Sequence, residues 1–457
     1  MFSKITPLNI QWIWYVLTAI ACAFMLLPIG IQLIGEESVY AVILQNMIEK
    51  NNYGDAFYRP PLFLWASASL SHLLNLSSIE LPLRLASIIS SICAAMFAAI
   101  FAHKVFKQDN AGIIAALIFL MLGEIQFWYG WLGYADAMFL FFIFSAMVST
   151  WLAAQFKQVR WYALAILLIN AAFLTKALTA YVFFASTLII TAWGFHSWRF
   201  FLKPINIILS VLSIAAPIIW MQVHNSGSNA SSNQLIQDIV IRFNSIDVIA
   251  YIKHLITTPL EFFLRMMPLS FLVAWFIFRK QPAPTQNKEI RLIALILLIN
   301  ALPYWLAPFS SMRHIVPLYG WASLLLSYYF LQLNFQAKKI AIITIVITLF
   351  LKIIFSIWVL PFLKERDDSH SFKHIASDVI QITQAQGLST IRRKSETFAA
   401  YAITAYINEM RPRSSVIQVL QNDEHHVYVL EFTQPANAKL IKTYTPFNSP
   451  VYLYYLE

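Results

Sequence analysis

The residues best suited to chemistry in this chain are an acidic pair, Glu36 and Glu37, which follows an uncharged run from Trp12 to Ile34. That run is long enough to cross a hydrocarbon core about 30 Å thick. Carboxylates beside such a run lose much of their hydration, and they are rare there unless they have a function. One of them can act as a general base that takes the proton of an attacking hydroxyl group. We expect Glu36 to be that base, whereas Glu37 also suits a carboxylate that stabilises a helix start.

Four further charged residues stand at the ends of apolar runs: Arg59, Asp136, Lys176 and Arg313. Two of them have ordinary explanations as well, because Asp136 suits a helix N-cap and Lys176 suits a lysine that reaches the membrane interface. As a set they suit a substrate that carries a phosphate, since Arg binds phosphate oxygens in pairs and Lys adds a point charge. Cations that stabilise a departing phosphate, together with a base, predict group transfer from a lipid phosphate.

Transmembrane helices must position these residues, because the 457-residue chain is 59% hydrophobic and only 12% charged. Its apolar runs are too long for barrel strands. About 11 crossings are predicted, near residues 12–34, 83–103, 110–126, 134–155, 161–175, 177–195, 204–222, 259–278, 291–308, 314–333 and 340–360. The segment 60–75 is shorter and suits an interfacial helix or a tilted span.

Lysines and arginines cluster in every second connection between these runs, as is typical of the cytoplasmic face of a membrane protein. The N-terminus is therefore predicted in the cytoplasm, and the candidate residues above share the opposite face. The net charge of +10 is explained by the cytoplasmic loops, so no nucleic-acid partner is expected.

The composition changes after Pro361, and we predict a transmembrane domain over 1–361 and an extracytoplasmic α/β domain over 362–457. Helices are expected over 371–386 and 398–410, and strands over 416–420, 427–432 and 451–455. The predicted fold is a polytopic α-helical membrane protein with about 11–13 transmembrane helices and a small C-terminal α/β domain.

Several short motifs, in their order and spacing over residues 1–335, resemble the GT-C membrane glycosyltransferases. They are similar to the branch that contains protein O-mannosyltransferases and the lipid A aminoarabinose transferase. The motifs are Gly35-Glu36-Glu37-Ser38-Val39-Tyr40-Ala41, Arg59-Pro60-Pro61-Leu62, Leu83-Arg84-Leu85-Ala86-Ser87, Asp136-Ala137-Met138-Phe139, Phe173-Leu174-Thr175-Lys176-Ala177 and Arg313-His314-Ile315-Val316-Pro317-Leu318-Tyr319.

The resemblance implies an inverting transferase that moves a hexose or pentose from a polyprenyl-phosphate sugar to a lipid, glycan or protein acceptor. Catalytic roles then fall to Glu36 and Asp136. Binding of the donor phosphate is assigned to Arg59, Lys176 and Arg313. Glu37, Tyr40 and Arg84 are assigned to acceptor contact or to structure. No residue is assigned to a metal, although the resemblance is compatible with a divalent ion.

The resemblance also implies a bacterial inner membrane protein, surrounded by membrane lipids, with its active site and C-terminal domain on the periplasmic side. Two other functions use the same features. A transporter or flippase would move a lipid-linked sugar through the charged cavity without making a bond. A structural membrane subunit would use the C-terminal domain for interaction. The clustering of charges at one membrane face, rather than at the midplane, favours the transferase.

Overall fold

The computed structural model describes residues 7–49, 60–176, 178–224, 248–279, 287–307, 311–385, 390–394, 397–411, 417–420, 426–431, 438–448 and 450–456. Contacts between residues divide the chain into two compact units. The first contains 1–25, 88–130 and 135–351, and the second contains 26–87, 131–134 and 352–457. The predicted domain boundary at residue 361 stays a prediction.

The chain is mainly helical. The helices are α1 (Pro7–Phe24), α2 (Glu37–Glu49), α3 (Leu62–Leu74), α4 (Glu80–Phe106), α5 (Ala111–Leu120), α6 (Ala135–Phe156), α7 (Val159–Thr175), α8 (Ala180–Gly194), α9 (Trp198–Phe201), α10 (Pro204–His224), α11 (Val248–Arg265), α12 (Leu269–Phe278), α13 (Lys288–Leu306), α14 (Tyr319–Leu331), α15 (Phe335–Ile354), α16 (Leu360–Lys364), α17 (Phe372–Ala385) and α18 (Phe398–Met410). A π-helical turn covers Ile125–Tyr129, a second covers Phe355–Val359, and a 3₁₀ turn covers Met312–Leu318.

Membrane-crossing segments are evident from length and composition. Among the described residues, five helical segments are long and apolar enough to cross a membrane, and a bent pair brings the number to six. Shorter apolar helices occupy the predicted windows near 12–34, 110–126, 161–175 and 177–195. The chain is therefore an integral membrane protein, and the predicted α-helical fold class is confirmed.

Several predicted spans are not single straight helices. The run 12–34 is helical only to Phe24, and turns follow through Ile31 because Pro28 has no backbone N–H to continue the helix. The run 259–278 belongs to α11 and α12, which meet at an angle of 103° beside Pro268. The segment 60–75 contains a complete helix, α3.

Helix α6 forms the centre of the first unit. It is apolar on all sides and buried along most of its length, as expected for a helix that other helices surround. Its Trp151 packs edge-on against Phe101, and the ring of Trp321 lies 5.8 Å from that of Trp151. This aromatic packing holds the C-terminal half of α6, and Asp136 lies in the first turn at the other end of the helix.

The second unit contains a five-stranded sheet in the order β2 (Gln418–Val419), β1 (Ile391–Arg393), β3 (Val427–Glu431), β5 (Val451–Leu456) and β4 (Lys439–Tyr444). Strand β3 is buried on both faces and pairs in parallel with β1 and antiparallel with β5. Helices α17 and α18 and the buried strands match the sequence predictions. The same unit packs α2 against α18, and the hydroxyl of Tyr406 in α18 donates to Glu80, the first residue of α4, at 2.7 Å.

Candidate active site

Asp136 is the centre of an ion cluster in the first unit. Its side chain is only 1% exposed, in the first turn of α6. Oδ1 accepts a hydrogen bond from Nζ of Lys176. Oδ2 accepts a hydrogen bond from Nε of Arg313 at 2.7 Å and forms an ion pair with its Nη2 at 2.6 Å. The structure thus brings together three residues that the sequence placed in three separate loops.

Lys176 lies immediately beyond the end of α7. Its backbone N–H donates to the carbonyl of Ala172, the last helical hydrogen bond there, and its amine lies 5.6 Å from the centre of the Phe139 ring. Because α7 packs along α6, the end of α7 places the lysine at the N-terminus of α6. The ordinary role of a lysine that only reaches the membrane interface does not account for its ion pair with Asp136.

Arg313 is positioned by a capped 3₁₀ turn. Ser311 accepts the Arg313 backbone N–H, and the Nδ1 atom of His314 accepts the Ser311 N–H at 3.2 Å. The His314 ring also stacks on Tyr304, with centroids 6.0 Å apart. His314, which sequence reasoning left without a role, therefore orients its neighbour rather than acting alone.

The cluster carries one negative and two positive charges, and its charges sum to +1. Lys176 and Arg313 keep 24% and 18% of their side chains exposed, whereas Asp136 is sealed. A pair of cations that a buried carboxylate fixes in place, and that remains accessible, is suited to an anionic ligand such as a phosphate.

A second ion cluster in the first unit escaped the sequence analysis. Arg265 donates to Glu261 through Nε and Nη2, at 2.9 and 2.7 Å, and to Glu124 through Nη1. Tyr129, at the end of the π-helical turn, interacts electrostatically with Glu124 and Arg265 and also with Asp136 and Arg313. The signal was present in the sequence, because Glu124 is the only charged residue in the predicted span 110–126.

Glu37 and Arg84 form a fully buried pair in the second unit, and both side chains are 0% exposed. Arg84 binds both carboxylate oxygens, at 2.9 and 2.6 Å, and donates to backbone carbonyls in the turn that precedes α2. Glu37 also accepts the backbone N–H groups of Ile34 and Gly133, at 2.8 and 2.6 Å. Of the two roles left open for this pair, the geometry favours the structural one.

Glu36 lies in the turn before α2 and is half-buried. Its backbone N–H donates to the hydroxyl of Tyr134 at 3.2 Å, and that hydroxyl donates to the carbonyl of Ile34. Tyr40, one turn into α2, is buried edge-on against Phe63 with centroids 5.3 Å apart. Arg59, the remaining predicted phosphate ligand, lies outside the described residues.

The Glu36 turn depends on Gly35, which has φ +54°. A Cβ atom there would lie 2.6 Å from the Tyr134 hydroxyl. We expect Gly35→Ala to lower the free energy of unfolding by about 2 kcal/mol, from backbone strain and the displaced hydroxyl. Gly30→Ala is the matched control, since a Cβ there meets nothing within 4 Å. Thermal unfolding of both variants in detergent measures the difference, and equal melting temperatures would contradict this account of the turn.

A metal site is not indicated by the described parts of the chain. Among those residues, no group of three or more His, Cys, Asp or Glu side chains is arranged to hold a metal ion.

No family model matches the chain, and no curated protein matches it. Among solved structures, it is similar to ArnT from Cupriavidus metallidurans bound to undecaprenyl phosphate, with a TM-score of 0.58 and 15% identity. The apo state of ArnT gives 0.54 and 13%, and in both cases the match covers 86% of this chain and 75% of the other. At this identity the similarity concerns the fold, and the chain has the GT-C-like fold that its motifs predicted.

Proposed function

We propose that the protein is a membrane glycosyltransferase that moves a sugar from a polyprenyl-phosphate donor to a lipid, glycan or protein acceptor at the extracytoplasmic face. The observation that carries this proposal is the Asp136–Lys176–Arg313 cluster, in which a buried carboxylate holds two accessible cations within a GT-C-like fold. The similar ArnT structure contains undecaprenyl phosphate, which supports a donor of that class.

In the proposed reaction, an acceptor hydroxyl attacks the anomeric carbon of the donor sugar. The new C–O bond forms as the bond from that carbon to the phosphate oxygen breaks, and attack from the opposite face inverts the configuration. Glu36 takes the hydroxyl proton, and polyprenyl phosphate leaves with the bonding electron pair. Lys176 and Arg313 stabilise the charge that develops on the leaving phosphate.

Asp136 has a positioning role in this mechanism, because both of its oxygens are engaged by cations. It holds the ammonium and guanidinium groups in place before the donor arrives, so that little reorganisation accompanies the reaction. Arg59 is proposed as a third phosphate ligand on the basis of its motif.

The test is incubation of the purified full chain with undecaprenyl-phosphate hexoses and pentoses and with candidate lipid, glycan and peptide acceptors. Acceptor-dependent release of undecaprenyl phosphate, in equal amount to the glycosylated product, is expected. A flippase in proteoliposomes would move the donor between leaflets without that release. Movement of the donor between leaflets without release of undecaprenyl phosphate would therefore reject the transferase function in favour of the transporter.

The cluster makes a prediction that needs no acceptor. Arg313→Gln should weaken binding of undecaprenyl phosphate about 10- to 100-fold, because it removes charge-assisted hydrogen bonds and reduces the cluster charge to zero. Binding to the purified protein can be followed by titration in detergent. Arg279→Gln, at an exposed position beyond α12, is the control and should bind like the unmodified protein. Equal affinities of the two variants would remove Arg313 from the phosphate site.

A further inference from the structure

A polar cavity of about 440 Å³ lies in the second unit, where the C-terminal ends of α2, α3 and α18 converge. Its size is in the range of small-molecule sites. Its lining includes Gln45, Glu49, His72, Asn408, Glu409 and Arg411. None of the residues assigned to the transfer reaction above lines it.

Two amides in this cavity are held rigidly. Gln45 donates to the Ala405 carbonyl at 2.8 Å and accepts from the Asn408 side chain at 3.1 Å. Asn408 in turn accepts the backbone N–H of Ile417 at 2.9 Å. A wall of pre-positioned polar groups is typical of a binding site, because little side-chain freedom is lost when a ligand arrives.

The charges of the cavity disfavour an anion. Three helix C-termini, which carry partial negative charges, lie at the cavity, and the acidic residues Glu49 and Glu409 face the cation of Arg411. Glu409 as a residue is exposed, but desolvation of its carboxyl group against the cavity wall, together with the nearby charge of Glu80, raises its pKa to about 7. Near neutral pH a fraction of this carboxyl group is protonated, and that form donates as well as accepts hydrogen bonds. Such a lining matches a neutral ligand that presents many hydroxyl groups.

We propose that this cavity binds the carbohydrate part of an extended acceptor, at a distance from the hydroxyl that reacts. The inference rests on the proposed transferase function and names its acceptor class. Helix α2 runs from Glu37, next to the proposed base, to Glu49 at the cavity, and its 13 residues span about 20 Å at 1.5 Å per residue. An acceptor that reaches both ends is therefore a glycan chain rather than a single sugar. Binding energy from such a remote part of a substrate can lower the reaction barrier.

The test uses neutral tetrasaccharides of glucose, mannose and N-acetylglucosamine, with the full chain in detergent and no donor. We expect saturation-transfer NMR to detect binding of at least one of them. Ser77→Trp, which places an indole in the cavity from an exposed loop position, should weaken that binding at least about tenfold, as should Glu409→Ala. Ser69→Trp, at an exposed site on α3 outside the lining, should leave it unchanged.

Three results would overturn the proposal: no tetrasaccharide binds, binding persists in Ser77→Trp, or inorganic phosphate displaces the sugar. Release of undecaprenyl phosphate in the transfer assay reports separately on the enzyme. Sugar binding without release would keep the cavity as a carbohydrate site but reject the transferase, and with it the assignment of the bound sugar to an acceptor. Release without sugar binding would do the reverse.

Discussion

Glu37→Gln is expected to destabilise the protein by about 3–5 kcal/mol, because it leaves the guanidinium of Arg84 buried without a compensating charge. Both side chains are 0% exposed, so water cannot replace the lost carboxylate. The amide of the variant would keep one acceptor oxygen, but this single oxygen cannot serve Arg84 and the N–H groups of Ile34 and Gly133 together. The effect should appear as a fall of about 3–5 °C in the melting temperature in detergent.

A double-mutant cycle separates the pair from its surroundings. If Glu37 and Arg84 act mainly on each other, Glu37→Gln combined with Arg84→Gln should destabilise less than the two single changes added together. Asp109→Asn removes an acidic charge from an exposed turn and should melt like the unmodified protein. Melting of Glu37→Gln at the same temperature as this control would mean that the buried pair contributes nothing to stability.

The pair also illustrates what the sequence does not reveal. From its position in the sequence, Glu37 was predicted to be a carboxylate at the start of a helix, and α2 does begin at Glu37. Its partner is 47 residues away in another motif of the chain, and no spacing rule connects the two. Only the turns after α1, which place Ile29 and Gln32 carbonyls around the same guanidinium, bring Arg84 to this position.

Of the two ion clusters of the first unit, the sequence predicts one and not the other. Asp136, Lys176 and Arg313 were predictable as a group, because alternation of Lys and Arg clusters placed their loops on one membrane face. Glu124 stands out as a single charge in an apolar span, but its partner Arg265 was not predictable, because no spacing in the sequence connects the two residues. Their pairing across 141 residues depends on the bend between α11 and α12.

The C-terminal sheet shows a further limit. Strands β3 and β5 are apolar runs, and the sequence predicts them closely. Strand β4 (Lys439–Tyr444) is mostly exposed and contains two lysines, a common device on an edge strand that prevents pairing with other chains. Strand β1 has only three residues, two of them arginine. Both strands therefore lack the alternation on which sequence prediction depends.

Glu36→Gln is expected to reduce sugar transfer about 10²- to 10⁴-fold, the contribution typical of a general base. Glutamine has nearly the same size but cannot take the proton of the acceptor hydroxyl. The turn should keep its conformation, since the substitution leaves in place the contacts of the Glu36 backbone N–H and Tyr134 and the backbone of Gly35. Melting temperature and undecaprenyl phosphate binding should therefore be unchanged while transfer falls.

This combination distinguishes the two members of the acidic pair. Loss of transfer in Glu37→Gln would accompany loss of stability, whereas in Glu36→Gln the two should be independent. Glu36→Asp shortens the side chain by one methylene and keeps the base, so transfer should fall less than in Glu36→Gln, because only the placement of the carboxylate has changed. Transfer by Glu36→Gln at close to the unmodified rate would exclude Glu36 as the base. The proton would then have to be taken by another carboxylate, and Glu124, which belongs to the electrostatic surroundings of Tyr129 in the first unit, would be the next residue to change.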